Sequence, residues 1–225
     1  MGYRRHAIAP GEWYHCYTRG IDKRTVFQSR SDYLRFQQAL YLSNSDKNIE
    51  RGAIQHLSHQ EILATERGNP LVAVGAYCLM PNHFHLLIKE RREGGLTRFM
   101  QKLGTSYTMY FNAKNQRSGA LFVGPFRSRH VDDDRYLSRV VPYIHLNAAE
   151  IFEHGWKKGK ATNLKNLETN LQKYPYSSFQ DYTSDARGEA GIIDKHELQD
   201  LLSYKMPPLN DLLPEMRDYY ENLHF

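Results

Sequence analysis

The chain has 225 residues, of which 40% are hydrophobic, 12% aromatic and 24% charged, a composition typical of a folded globular protein and unlike that of a disordered one. The longest apolar run, residues 71–80, is too short to cross a bilayer. The formal net charge of +5 is compatible with an anionic partner.

Alternation and helical spacing predict seven elements in the order strand, helix, strand, strand, helix, strand, helix. Their predicted spans are Trp13–Arg19, Tyr33–Leu42, Val72–Leu79, His83–Glu90, Leu96–Phe111, Phe126–Val131 and Asp132 to about Leu146. Pro81-Asn82 is suited to the turn of a hairpin between the second and third strands. This order predicts an α+β fold in which an antiparallel sheet carries helices on one or both faces.

Outside these elements the pattern is weaker. Residues 45–70 are polar, and we interpret them as an insertion in a main domain of residues 1–150, with a short helix around Ser58 to Arg67. Residues 151–225 are expected to form a C-terminal extension packed on the core.

The two cysteines and the N-terminus indicate a protein of the cytoplasm. Cys16 and Cys78 lie in apolar, strand-like contexts, so we expect buried thiols rather than a disulfide or metal ligands. The first six residues, Met-Gly-Tyr-Arg-Arg-His, lack the apolar stretch of a signal peptide.

Basic residues are concentrated in two segments. Residues 1–45 contain seven Lys and Arg against three Asp and Glu, and residues 89–139 contain eleven against five. A nucleic-acid backbone is the natural partner of such segments, although a solvated basic surface would produce the same counts. Arg127 and Arg129, on the last predicted strand, are candidate phosphate-binding residues.

A pair of histidines, His83 and His85, is the first chemical motif. Alternate side chains of a strand share a face, so both imidazoles point the same way and could bind one metal ion. Phe84, Leu86 and Ile88 are predicted to enter the core from the other face. The motif is short, and two polar strand residues in water would also explain it.

The second motif is Tyr143 with Asn147, which are i and i+4 on a predicted helix and therefore neighbours on one face. An amide oxygen could complete a metal site beside the tyrosine, although a tyrosine on a helix is commonly packing. Pro142 marks either a kink or the true start of this helix. His145 is expected to point away from Tyr143, and His15 is expected to be structural.

Together the motifs suit strand transfer in nucleic acid. A tyrosine oxygen can attack a backbone phosphorus and hold the strand as a phosphotyrosine, which preserves the ester for rejoining. Because tyrosine titrates near pH ~10, it needs a polarising neighbour such as a divalent ion. Tyr107, Tyr110 and Tyr136 are rival nucleophiles.

Six stretches in order resemble the single-tyrosine transposases with a His-hydrophobe-His (HUH) motif, especially the REP-associated tyrosine transposases of the IS200-like superfamily. They are Tyr14–Gly20, Met80–Leu87, Ser106–Asn112, Phe122–Arg127, Tyr143–Asn147 and Tyr176–Phe179. The resemblance covers roughly residues 10–182. Two departures are Ala148, where the family usually has proline, and the longer stretch of residues 45–70.

The resemblance implies a ferredoxin-like antiparallel sheet, the ligands His83, His85 and Asn147, and the nucleophile Tyr143. It implies cleavage and rejoining of single-stranded, hairpin-bearing DNA through a 5′-phosphotyrosine, with Mg²⁺ or Mn²⁺. The alternative is a protein that binds hairpin nucleic acid without strand transfer, while a zinc hydrolase lacks a convincing third ligand and general base in the sequence. The sequence leaves the oligomeric state open, a homodimer included.

Overall fold

The computed structural model describes residues 7–158, 163–183, 187–199, 211–214 and 216. Part of the predicted C-terminal extension, residues 151–225, lies outside these ranges. Four strands form one sheet: β1 (Trp13–Arg19), β2 (Val72–Met80), β3 (His83–Glu90) and β4 (Arg127–Val131).

Residues 211–214 are helical, and nine further α-helices have their bounds within the described residues. They are α1 (Arg30–Ser43), α2 (Arg51–Ile54), α3 (His59–Leu63), α4 (Gly95–Lys114), α5 (Asp134–Leu146), α6 (Ala149–Phe152), α7 (Leu164–Lys173), α8 (Phe179–Thr183) and α9 (His196–Gln199). Short 3-10 turns span Ile21–Lys23, Trp156–Lys158 and Gly188–Ile192. No helix in the described ranges is both long and apolar enough to span a bilayer.

The strands lie in the order β2-β3-β1-β4, with every neighbouring pair antiparallel. β1 and β2 are joined through α1, and β3 and β4 through α4, so the chain forms the split βαβ arrangement of a ferredoxin-like fold. The predicted α+β architecture is confirmed.

One face of the sheet packs against α1 and α4. Phe84, Leu86 and Ile88 of β3 are buried in this cluster, as their alternation predicts. Aromatic rings dominate it, since Phe36 of α1 lies 4.8 Å from Phe84 and 4.9 Å from Tyr107 of α4 between ring centroids. This face is a closed core.

α1 begins at Arg30, earlier than the predicted start. The carboxylate of Asp32 accepts hydrogen bonds from the backbone N–H groups of Gln28 and Ser29, at 2.8 and 3.0 Å. These contacts satisfy donors at the helix start that would otherwise lack partners, so the helix extends to the residue after Ser29.

A β-bulge interrupts β2 at Gly75, where the pairing with β3 shifts between Val74 and Ala76. A Cβ at Gly75 would lie 2.8 Å from the side chains of Trp13 and Leu198, so only glycine fits without displacement. The bulge resets the alternation: Val74 faces the α1/α4 cluster before it and Tyr77 faces the same cluster after it.

The other face of the sheet packs against α5. Trp13, Leu87 and Val131 from three strands join Val140 and Ile144 of α5 in a second apolar cluster. α5 begins at Asp134 after the N-cap Asp133, whose carboxylate accepts from the backbone N–H of Tyr136. Pro142 therefore lies inside the helix and is not its start.

Residues after α7 cover the open edge of β2. The backbone N–H of Leu79 donates to the carbonyl of Tyr176 at 2.9 Å, and that of Ser178 donates to Tyr77 at 3.0 Å. The Tyr174 hydroxyl adds a bond to the carbonyl of Leu79 at 2.6 Å. Pairing along this edge prevents it from recruiting a strand of another chain.

The two cysteines and the segment 45–70 are also placed. Cys16 and Cys78 are buried free thiols, as predicted. Between residues 45 and 70 lie the short helices α2 and α3, and the predicted helix there is confirmed over His59–Leu63 only.

Candidate functional site

A cavity of about 800 Å³ opens between the α5 face of the sheet and the end of α5. Its walls include His83, His85, Tyr143, Asn147 and Arg127, so five of the six predicted site residues line one cavity. The sheet brings them together because β3 lies beside β1, and β1 lies beside β4.

His83 is oriented by the turn that precedes it. Its Nδ1 donates to Oδ1 of Asn82 at 2.6 Å, and the amide nitrogen of Asn82 donates to the carbonyl of Lys23 at 3.3 Å. A neutral imidazole protonated on Nδ1 keeps its lone pair on Nε2. Asn82, predicted only as a turn residue, therefore fixes which nitrogen of His83 can bind a metal ion.

His85 is held by a third histidine, which the sequence did not indicate. Nε2 of His15 on β1 lies 2.9 Å from Nδ1 of His85, and the two rings stack with centroids 5.1 Å apart. When Nδ1 of His85 donates this bond, the lone pair of His85 is on Nε2, as in His83. Both histidines of the motif thus have an outer partner on Nδ1, the arrangement usual for histidine ligands.

Burial keeps these imidazoles uncharged. It lowers the pKa of His83 to about 3, with further lowering by Arg19 and Lys157. It also lowers the pKa of His85 well below its usual value, with the same direction from His15 and His83. Neutral imidazole is the form that binds metal ions, so near neutral pH no proton competes for the site.

Tyr143 is packed against these rings from the α5 side. Its ring stands nearly perpendicular to His85, with centroids 5.7 Å apart, and makes an edge contact with His15 at 5.4 Å. Asn147, one turn later, donates from Nδ2 to the carbonyl of Tyr143 at 2.8 Å. The amide oxygen is therefore the end of Asn147 that remains for a ligand.

Basic side chains surround the histidines. Arg19 lies opposite His83 in the β1–β3 register and lines the cavity together with Lys23, Arg127 and Lys157. Glu150 also lines it, and its carboxylate lies 3.5 Å from the amine of Lys157. The predominance of positive charge makes the cavity suited to a phosphate group.

The two arginines predicted to bind phosphate lie in different surroundings. Arg127 is opposite Tyr17 in the sheet and lines the cavity. Arg129, two residues along β4, is not among the cavity residues, and its guanidinium lies 5.0 Å from the ring centroid of Tyr136.

The other tyrosines and histidines considered as candidates lie elsewhere. Tyr107 donates to the carbonyl of Val26 inside the α1/α4 core, and Tyr110 donates to Asp32 on the same side. Nε2 of His145 lies 2.9 Å from Oγ of Ser178 in a buried contact, consistent with its predicted direction away from Tyr143.

Sequence reasoning missed His15, which contacts His85, and the basic residues Arg19 and Lys157, which line the cavity. The first two lie on β1 at alternate positions to Tyr17, so they share one face of that strand. The sequence alone could have predicted that these two residues share a face, but it could not have predicted that β1 pairs with β3.

Part of this sequence is similar to known proteins. Residues 55–147 match the family model described as "Transposase IS200 like". The match contains β2, β3, α4, β4 and α5, and with them all four residues predicted for metal binding and nucleophilic attack. Comparison with curated protein sequences gives no match.

A solved structure described as "Structure of the REP associates tyrosine transposase bound to a REP hairpin" is similar to this chain. The two share 14% identity, with 80% of this chain and 84% of that chain covered and a TM-score of 0.50. At this identity the likeness shows a common fold. With the family match, it confirms the resemblance that the motifs indicated, since residues 55–147 match the IS200-like transposase model and the chain shares its fold with a solved transposase.

Proposed function

We propose that this protein cleaves and rejoins single-stranded DNA next to a hairpin, using Tyr143 as the nucleophile and a divalent metal ion. The observation that carries the proposal is the packing of Tyr143 against His85 in a cavity lined by His83 and basic side chains. The family match and the fold shared with a transposase solved on a REP hairpin support it.

The donor set fits a divalent ion with open coordination positions. His83 and His85 would each offer Nε2, because their Nδ1 atoms have other partners, and Asn147 would offer its amide oxygen. Among the described residues, no group of three or more His, Cys, Asp or Glu side chains is placed to hold a metal ion, so the proposed set needs the amide oxygen of Asn147. When bound, the ion would act as a Lewis acid on a phosphate oxygen, a role suited to Mg²⁺ or Mn²⁺ with water and phosphate as the remaining ligands.

In the cleavage step, the oxygen of Tyr143 forms a bond to phosphorus as its proton is lost. The bond from phosphorus to the 3′ oxygen breaks, and that oxygen leaves as a 3′ hydroxyl after gaining a proton. The DNA strand is then held as a 5′-phosphotyrosine, which a 3′ hydroxyl can attack in the reverse reaction. Arg19, Arg127 and Lys157 would stabilise the negative charge that develops on the phosphate oxygens.

The decisive experiment replaces Tyr143 with phenylalanine, which removes one oxygen and keeps the ring. Labelled hairpin oligonucleotides taken from the DNA flanking the gene are incubated with Mg²⁺ or Mn²⁺, and the products are separated on a denaturing gel. The wild type should form a covalent protein–DNA band, and Tyr143→Phe should form none while binding the hairpin with unchanged affinity. Tyr136→Phe, on the same helix but outside the cavity, is the matched control and should form the band.

The outcomes separate the alternatives. An adduct with Tyr143→Phe would assign the nucleophile to another tyrosine. If the wild type binds the hairpin but forms no adduct with either metal, the protein is a hairpin-binding protein without strand transfer. Replacing His83 and His85 together with alanine should abolish metal-dependent cleavage, and normal cleavage by that variant would refute the metal site.

A further inference from the structure

A second cavity, of about 680 Å³, lies on the opposite side of the molecule, along the outer surfaces of α1 and α4. We call it the α1/α4 groove. It shares no lining residue with the Tyr143 cavity. Its volume is within the range of sites that bind small molecules.

The unusual residue of this groove is Arg35, which is only 7% exposed. Its Nε and Nη1 atoms are buried, and neither finds a hydrogen-bond acceptor within the described part of the chain. Among the described residues, its guanidinium contacts the ring of Tyr110, 5.7 Å from the centroid. A buried cation without an acceptor is strongly unfavourable, so the position calls for an anion.

The adjacent carboxylate does not fill that role. Asp32, one turn earlier on α1, accepts from the amine of Lys114 at 2.6 Å and from the hydroxyl of Tyr110 at 2.9 Å. It also accepts two backbone N–H groups at the start of α1. These contacts occupy Asp32 and compensate Lys114.

Two further features of the groove favour an anion. No Asp or Glu lines it, and, within the described residues, the amine of Lys102 donates to the backbone carbonyls of Ser45 and Lys47, at 2.7 and 3.0 Å, while the carboxylate of Asp46 acts on it from outside the groove. Arg35 and Lys102 together match a group with nearly two negative charges. A phosphate monoester carries about −1.5 to −2 near pH 7, whereas a carboxylate carries −1.

The rest of the groove suits a flat, partly apolar body. Met109, 67% exposed, and Ile49 contribute apolar surface, and Tyr110 contributes an aromatic ring. Hydroxyls of Thr105 and Ser106 lie among the same lining residues. Base rings stack on such surfaces, and their edges and sugars need polar partners.

We infer that the α1/α4 groove binds a nucleotide through its phosphate monoester, with Arg35 as the main phosphate contact. The nucleotide would be either a free mononucleotide or the phosphorylated end of a DNA strand. The inference does not depend on the proposed strand transfer, because the groove lies across the sheet from Tyr143. All binding measurements can therefore be made with the Tyr143→Phe protein.

The test compares the binding of deoxyadenosine 5′-monophosphate, deoxyadenosine and inorganic phosphate by titration calorimetry. The monophosphate should bind at least about tenfold more tightly than either of the others, since each of them lacks one half of the recognised group. Arg35→Met should weaken binding about tenfold to hundredfold, and Arg35→Lys should lie between it and the parent protein. Arg92→Gln, an equal loss of charge outside the groove, should bind as the parent protein does.

The same titration with single-stranded oligonucleotides, with and without a 5′ phosphate, distinguishes the two sources of nucleotide. Preference for the phosphorylated strand that Arg35→Met abolishes would identify a strand end, and binding of the monophosphate alone would identify a free nucleotide. Arg35→Met is close in volume and removes an unpaired charge, so the fold should survive, and its thermal unfolding is checked first. Equal affinity of Arg35→Met and the parent protein for every phosphate ligand would overturn the inference.

Discussion

The two faces of the sheet differ in what they bury. Against α1 and α4 the sheet presents an aromatic and aliphatic core. Against α5 it presents apolar side chains at one end and three neutral histidines at the other. β3 contributes to both, with Phe84 on one side and His83 and His85 on the other. The comparison suggests that the closed face holds β3 rigid while the open face carries the chemistry.

The largest effect should come from the closed face. Phe84→Ala removes a ring that contacts Phe36 and Phe122 at centroid distances of 4.8 and 5.5 Å. Loss of this packing should lower the free energy of unfolding by about 3–5 kcal/mol. His83→Ala, at the adjacent and half-buried position, should cost about 1 kcal/mol or less. Urea denaturation measures both, and equal losses would mean that the two faces do not divide the roles in this way.

The next effect concerns the stability of the fold at acidic pH. Burial, aided by Arg187, lowers the pKa of His145 to about 3, against about 6.5 in an unfolded chain. The unfolded state therefore binds the proton first, so stability is fully present above pH 6.5 and declines as pH falls toward 3. Between pH 6.5 and 5, protonation of His145 in the unfolded chain should lower the free energy of unfolding by about 2 kcal/mol.

The matched variant is His145→Gln, which can keep a hydrogen bond to Ser178 but does not titrate. Measured by thermal unfolding at a series of pH values, it should lose about 2 kcal/mol less than the wild type over the same interval. Parallel pH profiles would show that His145 is protonated without cost in the folded protein.

A smaller effect should follow from replacing His15, the hydrogen-bond partner of His85 in the proposed metal site. His15→Phe keeps a ring beside His85 but removes the hydrogen bond at 2.9 Å. The affinity for Mn²⁺ should fall about tenfold to hundredfold. His15→Gln, which can restore the bond, should recover part of the loss. Calorimetric titration with Mn²⁺ tests this, and an unchanged affinity in His15→Phe would make His15 a packing residue.

The smallest effect is expected at β4. Arg127→Gln should weaken hairpin binding for all sequences alike and reduce the salt dependence by about one phosphate contact. Arg129→Gln should change binding less, since its guanidinium lies over Tyr136 and outside the cavity. Binding is measured at several salt concentrations. A larger loss of affinity with Arg129→Gln would indicate that the bound DNA runs outside the cavity.

The sequence predicted the four strands closely because each is a short run bounded by turn residues, continuously apolar in β2 and alternating in β3. It also predicted that His83 and His85 share a face, since a strand repeats every two residues. It did not predict the contact of His15 with His85, because strand register depends on pairing between segments 70 residues apart. Arg35 was missed for a similar reason: that its Nε and Nη1 atoms find no acceptor in the described part of the chain becomes visible only when α1 and α4 are packed together.

The bulge at Gly75 reverses the side-chain alternation of β2, so that different residues face the core before and after it. Upstream of it, even-numbered residues face the aromatic core, and downstream odd-numbered residues do so. Without this bulge, Tyr77 and Leu79 would exchange sides with Cys78 and Met80. The side chain of Met80 would then leave the wall of the Tyr143 cavity. The bulge thus lets one strand contribute both to the continuous core and to one wall of the site. It also means that a one-residue insertion has different consequences on the two sides of Gly75, since only an insertion downstream would change which side chains form that wall.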